Sequence, residues 1–139
     1  EKAARIADLA KDVSEVVNAV WPLLGGKLKA GAGTIAYHPP CTLQHGMKLK
    51  GGVEALLRDM GYTLAPVADS HLCCGSAGTY SVLQPEISNE LKSRKLKTLT
   101  AGQPTQIVTA NIGCMTHLQS GTPLVVKHWI ELLDERLAV

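Results

Sequence analysis

The chain has 139 residues, 45% of them apolar, and a formal net charge of +2 at neutral pH. That length suits one domain with a real core; the small charge gives no basis for binding nucleic acid or an anionic membrane, and no apolar run approaches the roughly 20 residues that a membrane helix needs. Taken in chain order, Ile6, Leu9, Val13, Val16, Val17 and Val20 recur at helical spacing, and Pro22 with Gly25-Gly26 marks the expected end of a first helix. Thr34 to Tyr37 reads as a short strand stopped by Pro39-Pro40. Val53, Leu56, Leu57 and Met60 predict an amphipathic helix closed by Gly61. A second strand is expected over Tyr62 to Val67, with Pro66 suggesting an edge or an early end. A longer helix starts near Pro85 with Ile87, Leu91, Leu96 and Leu99 inward and Lys92, Arg94, Lys95 and Lys97 on a solvated face. Strands at Gln106 to Ala110 and Leu124 to Val126 precede a last helix through Trp129, Ile130, Leu133 and Leu137.

Helices alternating with short β-branched strands imply an α/β fold: a mostly parallel four-stranded sheet with helices on both faces. Residues 1–33 are expected to form an N-terminal helix and linker, and 34–139 the main domain. The chain begins at Glu1 and carries no secretory signal, so the expectation is a piece of a longer, cytoplasmic protein.

The chemistry is concentrated in sulfur. All four cysteines, Cys41, Cys73, Cys74 and Cys114, lie in segments rich in Gly, Pro or His, each after an expected strand. In parallel sheets, ligand groups gather in the loops leaving the carboxyl ends of strands, so three distant segments are expected to meet at one sheet edge. Structural disulfides fit poorly with adjacent Cys73 and Cys74, a chain of this size and no sign of export. Clustered thiolates suit iron–sulfur clusters and zinc; a metal-free thiol site is the third possibility. Two adjacent thiolates reach different iron atoms of a cluster more readily than one small tetrahedral ion. Gly75 and Gly113 are read as shaping residues, leaving the backbone free to turn closely beside the sulfurs.

The segments Tyr37-His38-Pro39-Pro40-Cys41, Asp69 to Gly78 around Cys73-Cys74-Gly75, and Asn111 to Gly121 around Cys114 and His117 resemble the cysteine-rich CCG domain family. That family includes a component of heterodisulfide reductase and iron–sulfur subunits of lactate-, glycerol-3-phosphate- and glycolate-oxidising complexes, and the similarity is greatest to the C-terminal such domain of the glycolate-oxidising type. The resemblance implies an electron-transfer domain with an iron–sulfur cluster, most readily of the four-iron type. It implies flavin-containing partner subunits that oxidise glycolate to glyoxylate, and a ferredoxin-like part of the parent chain on the N-terminal side. It implies no nucleic-acid partner and no direct membrane insertion, with peripheral attachment at the inner membrane face only through the complex. The family motif ends Cys-x-x-Cys, and here His117 stands at the second position. His117 is thus either a ligand in place of the fifth thiolate, as histidine is in Rieske-type centres, or a hydrogen-bond donor beside the group.

The remaining histidines have plainer readings. His38 and His45 could be ligands, but local hydrogen bonding in the Cys41 loop is the preferred reading; His71 is expected to tune the Cys pair or lie on the surface, and His128 to be structural. Trp21 and Trp129 are core or interface anchors, and the lysine-rich helix face is solvated or docks an acidic partner. No glycine-rich phosphate loop is present, so the chain by itself is not expected to turn over a substrate. The alternative to electron transfer is a scaffold module, zinc-bound or metal-free, that docks oxidoreductase subunits.

Overall fold

The computed structural model describes residues 1–137. Its centre is a four-stranded, all-parallel sheet in the order β2-β1-β3-β4, built from β1 (Thr34–His38), β2 (Thr63–Leu64), β3 (Gln106–Thr109) and β4 (Val126–His128). Ile35 pairs with Leu64 on one side and Gln106 on the other, and Ile107 pairs with Val126. The helices are α1 (Lys2–Leu9), α2 (Val13–Leu24), α3 (Gly52–Asp59), α4 (Tyr80–Leu83), α5 (Pro85–Thr100), α6 (Ile112–Gln119) and α7 (Trp129–Asp134). The α/β, parallel reading of the sequence therefore holds.

Strand alternation builds two cores. Ile35, Tyr37 and Val108 point to one face, where they meet Val17 of α2, Val53, Leu56 and Leu57 of α3, and Trp129, Leu132 and Leu133 of α7. Ala36 and Ile107 point to the other, where they meet Leu96 and Leu99 of α5, Leu118 of α6, and the cysteines Cys74 and Cys114. Thus α3 crosses one face on its way from β1 to β2, while α5 and α6 cross the opposite face. The order of strand addition reverses between the neighbouring parallel strands β1 and β3, and such a switch point opens a crevice beyond their carboxyl ends.

Several expectations need correction. The first helix is two helices, because Asp12 starts a new one: its Oδ1 accepts from the Ser14 amide at 2.8 Å and its own amide donates to Glu15 Oε2 at 2.8 Å. This reciprocal cap competes with continuation from α1, and α1 buries none of its residues. Pro22 lies inside α2 rather than ending it. Ile87 is 49% exposed, so it does not join the core, whereas Lys95, expected on the solvated face, is buried. β4 starts two residues later than expected. Before it, the Gln119 side chain holds the approach, donating to the Thr122 and Leu124 carbonyls and accepting from the Val126 amide. β2 is shortened to two residues ahead of Pro66, which has no amide hydrogen to give the ladder.

Candidate metal centre

Each cysteine is placed by a different local device. Cys41 follows β1 through Pro39-Pro40 and opens a π-helical turn over Thr42–Gly46. Gln44, buried in that turn, donates to the Pro39 carbonyl at 2.7 Å and fixes the approach. Cys73 and Cys74 lie in the long segment between β2 and α4. Lys95, from α5, donates to the Asp69 carbonyl of that segment at 2.7 Å. Cys114 sits in the first turn of α6, not in a loop as expected. The reason is Asn111, whose side-chain oxygen accepts from the Cys114 amide at 3.1 Å and caps the helix.

The glycines act through packing. Gly75 has φ of +93°, and a Cβ there would lie 2.3 Å from the Ser88 carbonyl oxygen of α5. Glycine is thus required here by a close approach to α5. At Gly113 a Cβ would meet Asn111 Oδ1 and Ser76 Oγ at 3.1 Å each, which crowds the cap that holds Cys114.

These devices bring the four cysteines within mutual electrostatic reach, all unpaired by disulfide. The Cys41 thiol is pushed up to about 11, first by burial and then by the neighbouring Cys73. Cys74 is held down to about 4, first by the neighbouring Cys114 sulfur and also by His38, with burial opposing them. Cys114 is raised well above the usual thiol range, first by Cys74 and then by burial. Neighbouring buried sulfurs could hold a soft metal, since metals bind the thiolate form.

His38, for which the sequence favours local hydrogen bonding over a ligand role, is placed among the sulfurs. It is 1% exposed, and one of its ring nitrogens lies with the Cys74 and Cys114 sulfurs in a group whose donor atoms are all within 4.8 Å of one another. Neither ring nitrogen has a partner of ordinary hydrogen-bond geometry among the described residues. The signal was present in β1: if Ile35 and Tyr37 face one core, Ala36 and His38 must face the other, where Cys74 and Cys114 lie. His117, one helical turn beyond Cys114, has its Nε2 3.2 Å from Ser88 Oγ, and the same hydroxyl donates to the Gly75 carbonyl at 2.7 Å. His117 is therefore tied to the Cys-Cys-Gly loop through Ser88 and is not among the three tightly grouped donors. His45 Nε2 contacts the His71 carbonyl oxygen at 3.2 Å, a local loop contact. His128 caps α7.

A cleft of about 720 Å³ opens beside Cys73, walled by Pro66, Ala68, Leu72, Leu91 and Lys95. No helix among the described residues is long and apolar enough to cross a membrane.

Residues 35–119 match the family model of the CCG cysteine-rich domain. The chain is similar to the glycolate oxidase iron-sulfur subunit of Escherichia coli, 46% identical with 99% of this chain and 33% of that protein covered. It is also similar to the uncharacterized protein YkgE of Escherichia coli, 30% identical over 97% of this chain and 59% of that protein. Lactate utilization protein A of Anoxybacillus flavithermus is 26% identical, with the same coverage of 97% and 59%. The chain thus spans about a third to three-fifths of the length of these relatives.

Proposed function

Because this chain belongs to the CCG cysteine-rich domain family, we propose that it is the iron–sulfur electron-transfer domain of a complex that oxidises a 2-hydroxy acid, with glycolate as the substrate of the whole complex. The observation that carries this is the meeting of four unpaired cysteines from three distant segments at the switch-point edge of a parallel sheet. The relationship to a glycolate oxidase iron-sulfur subunit supports the choice of substrate. Residues 34–139 form the cysteine-bearing unit, and 1–33 a leading helical segment.

The donor set fits a soft metal group. Clustered sulfurs, a buried imidazole without a hydrogen-bond partner among the described residues and a glycine-lined loop all suit iron or zinc. Cys41, Cys73, Cys74 and Cys114 hold the group, which on this reading is a four-iron cluster. When bound, such a group supplies one-electron chemistry at a potential set by its ligands and surroundings. The chain's own residues do the rest. The Ala36–Ile107 core excludes water from the Cys74 and Cys114 side. Lys95 places a buried positive charge within electrostatic reach of Cys41, Cys73 and Cys74. The cleft beside Cys73 brings solvent, or a redox partner, close to one sulfur.

Partner subunits carry the flavin, and a ferredoxin-like part of the parent protein delivers electrons, on the cytoplasmic side of the membrane. Exposed Val82 and Leu83 of α4, with Ile87 of α5, provide apolar surface for such docking. The compact group of His38, Cys74 and Cys114 favours a second reading, one zinc ion in a docking scaffold. Iron, acid-labile sulfide and zinc content after anaerobic purification separates the two. Brown protein with iron and sulfide in comparable amounts supports the first; colourless protein with stoichiometric zinc supports the second and refutes electron transfer by this domain.

A further inference from the structure

Resting on the reading of this site as a metal centre, we propose that His38 is a nitrogen ligand of that centre, its imidazole joining the Cys74 and Cys114 sulfurs. Bonds of about 2.0–2.3 Å hold the ligands of a tetrahedral metal atom roughly 3.3–3.8 Å apart. The His38, Cys74 and Cys114 donor atoms lie within 4.8 Å of one another, near enough for side-chain rotation toward a common metal centre to bring them into bonding range.

The burial of His38 gives the second argument. Leaving a buried polar group without a partner costs about 1–3 kcal/mol, and native proteins seldom retain such groups without a reason. His38 is held there regardless. It ends β1 in register with Thr109, whose hydroxyl donates to the His38 carbonyl at 2.9 Å. The strand fixes the backbone, the pleat sends the ring to the sulfur-bearing face, and a metal atom satisfies the nitrogen aimed at Cys74 and Cys114.

The third argument is the different engagement of His117. Its Nε2 lies against Ser88, through which it reaches the Gly75 carbonyl. His117 is a positioning residue for the Cys-Cys-Gly loop, and the nitrogen that accompanies the four sulfurs comes from β1. On this assignment the position of the family's last cysteine has become a packing residue, and histidine ligation comes from a different segment.

The test uses the chain labelled with heavy-nitrogen histidine and loaded anaerobically with cobalt(II) or, separately, with iron and sulfide. Pulsed EPR should show a strong histidine-nitrogen coupling in the parent and in His117→Gln, and none in His38→Gln. The metal dissociation constant of His38→Gln should rise at least about tenfold. His38→Cys places a thiolate at the same strand end; it should recover metal retention while the nitrogen coupling stays absent, and its folded circular dichroism would show that the strand tolerates the change. A coupling that survives in His38→Gln, or one that disappears only in His117→Gln, overturns the assignment of His38 while leaving the metal centre intact. A parent chain that takes up neither cobalt nor iron overturns the assignment and the metal-centre reading together.

Discussion

The Ser88 hydroxyl donates to the Gly75 carbonyl at 2.7 Å, which ties the Cys-Cys-Gly loop to α5 at a point where the two backbones nearly touch. Both groups are buried, and Gly75 takes a φ of +93° to make the contact. The placement of Cys73 and Cys74 therefore depends on a helix that carries no cysteine. Gly75→Ala introduces a Cβ 2.3 Å from the Ser88 carbonyl oxygen in a conformation that L-residues disfavour. The expected loss is roughly 2–4 kcal/mol of unfolding free energy, read by urea denaturation. Ser88→Ala should cost less, about 1–2 kcal/mol, because it removes the hydrogen bond without a clash. Equal stability of Gly75→Ala and the parent would refute this account of the loop.

Asn111 both caps α6 and holds the Cys114 amide at 3.1 Å. Asn111→Ala should destabilise the fold by about 1 kcal/mol and weaken metal retention, since Cys114 loses its fixed place in the first turn. Asn111→Asp keeps a capping oxygen and should recover the stability. Thermal melts of the three proteins decide it: an alanine variant as stable as the parent would show that the cap is dispensable.

Tyr37 offers a prediction in pH. Burial of its phenol, reinforced by Glu54 and Asp12, raises its pKa above the usual 10.0. A raised acid pKa favours the protonated group in the folded state, so this contribution is intact below pH 10 and falls as pH rises beyond it, where the unfolded chain ionises first. The hydroxyl also lacks a hydrogen-bond partner among the described residues. Tyr37→Phe should leave stability at neutral pH unchanged or improve it by up to about 1 kcal/mol, and should flatten the loss above pH 10. A steeper alkaline loss in the phenylalanine variant would contradict the sign.

Lys95 is 3% exposed, donates to the Asp69 carbonyl and lies within electrostatic reach of Cys74, Cys41 and Cys73. Lys95→Met keeps the stem and removes the charge. It should cost about 1.5–3 kcal/mol through the lost charged hydrogen bond. It should also lower the reduction potential of the loaded centre, because a nearby positive charge favours the more negative, reduced state. An anaerobic redox titration in which parent and variant coincide would remove Lys95 from the electrostatics of the site.

How much of this is legible in the sequence depends on the range of the interactions. The parallel α/β order can be read because helical and strand periodicities are local, and the composition and spacing of Val53 to Met60 or Gln106 to Thr109 differ enough to separate them. The four cysteines stand out because soft donors in turn-rich segments have few structural uses. The break at Asp12 is equally local, with Asp12 and Glu15 at capping-box spacing, and is masked by the apolar repeat that continues across it.

Sequence by itself determined the elements, their order and the sulfur chemistry, since these follow from neighbouring residues along the chain. Only the tertiary structure decided which histidine faces the sulfurs and which lysine is buried within electrostatic reach of them. His38 and His117 both lie within three residues of a cysteine, yet β1 turns one ring toward Cys74 and Cys114 while the packing of α5 against α6 draws the other onto Ser88. Lys95 is one of several basic residues on α5 until the Asp69–Cys74 segment folds over it. Those choices arise where segments far apart in the chain share one edge of the sheet, and local periodicity carries no information about that meeting.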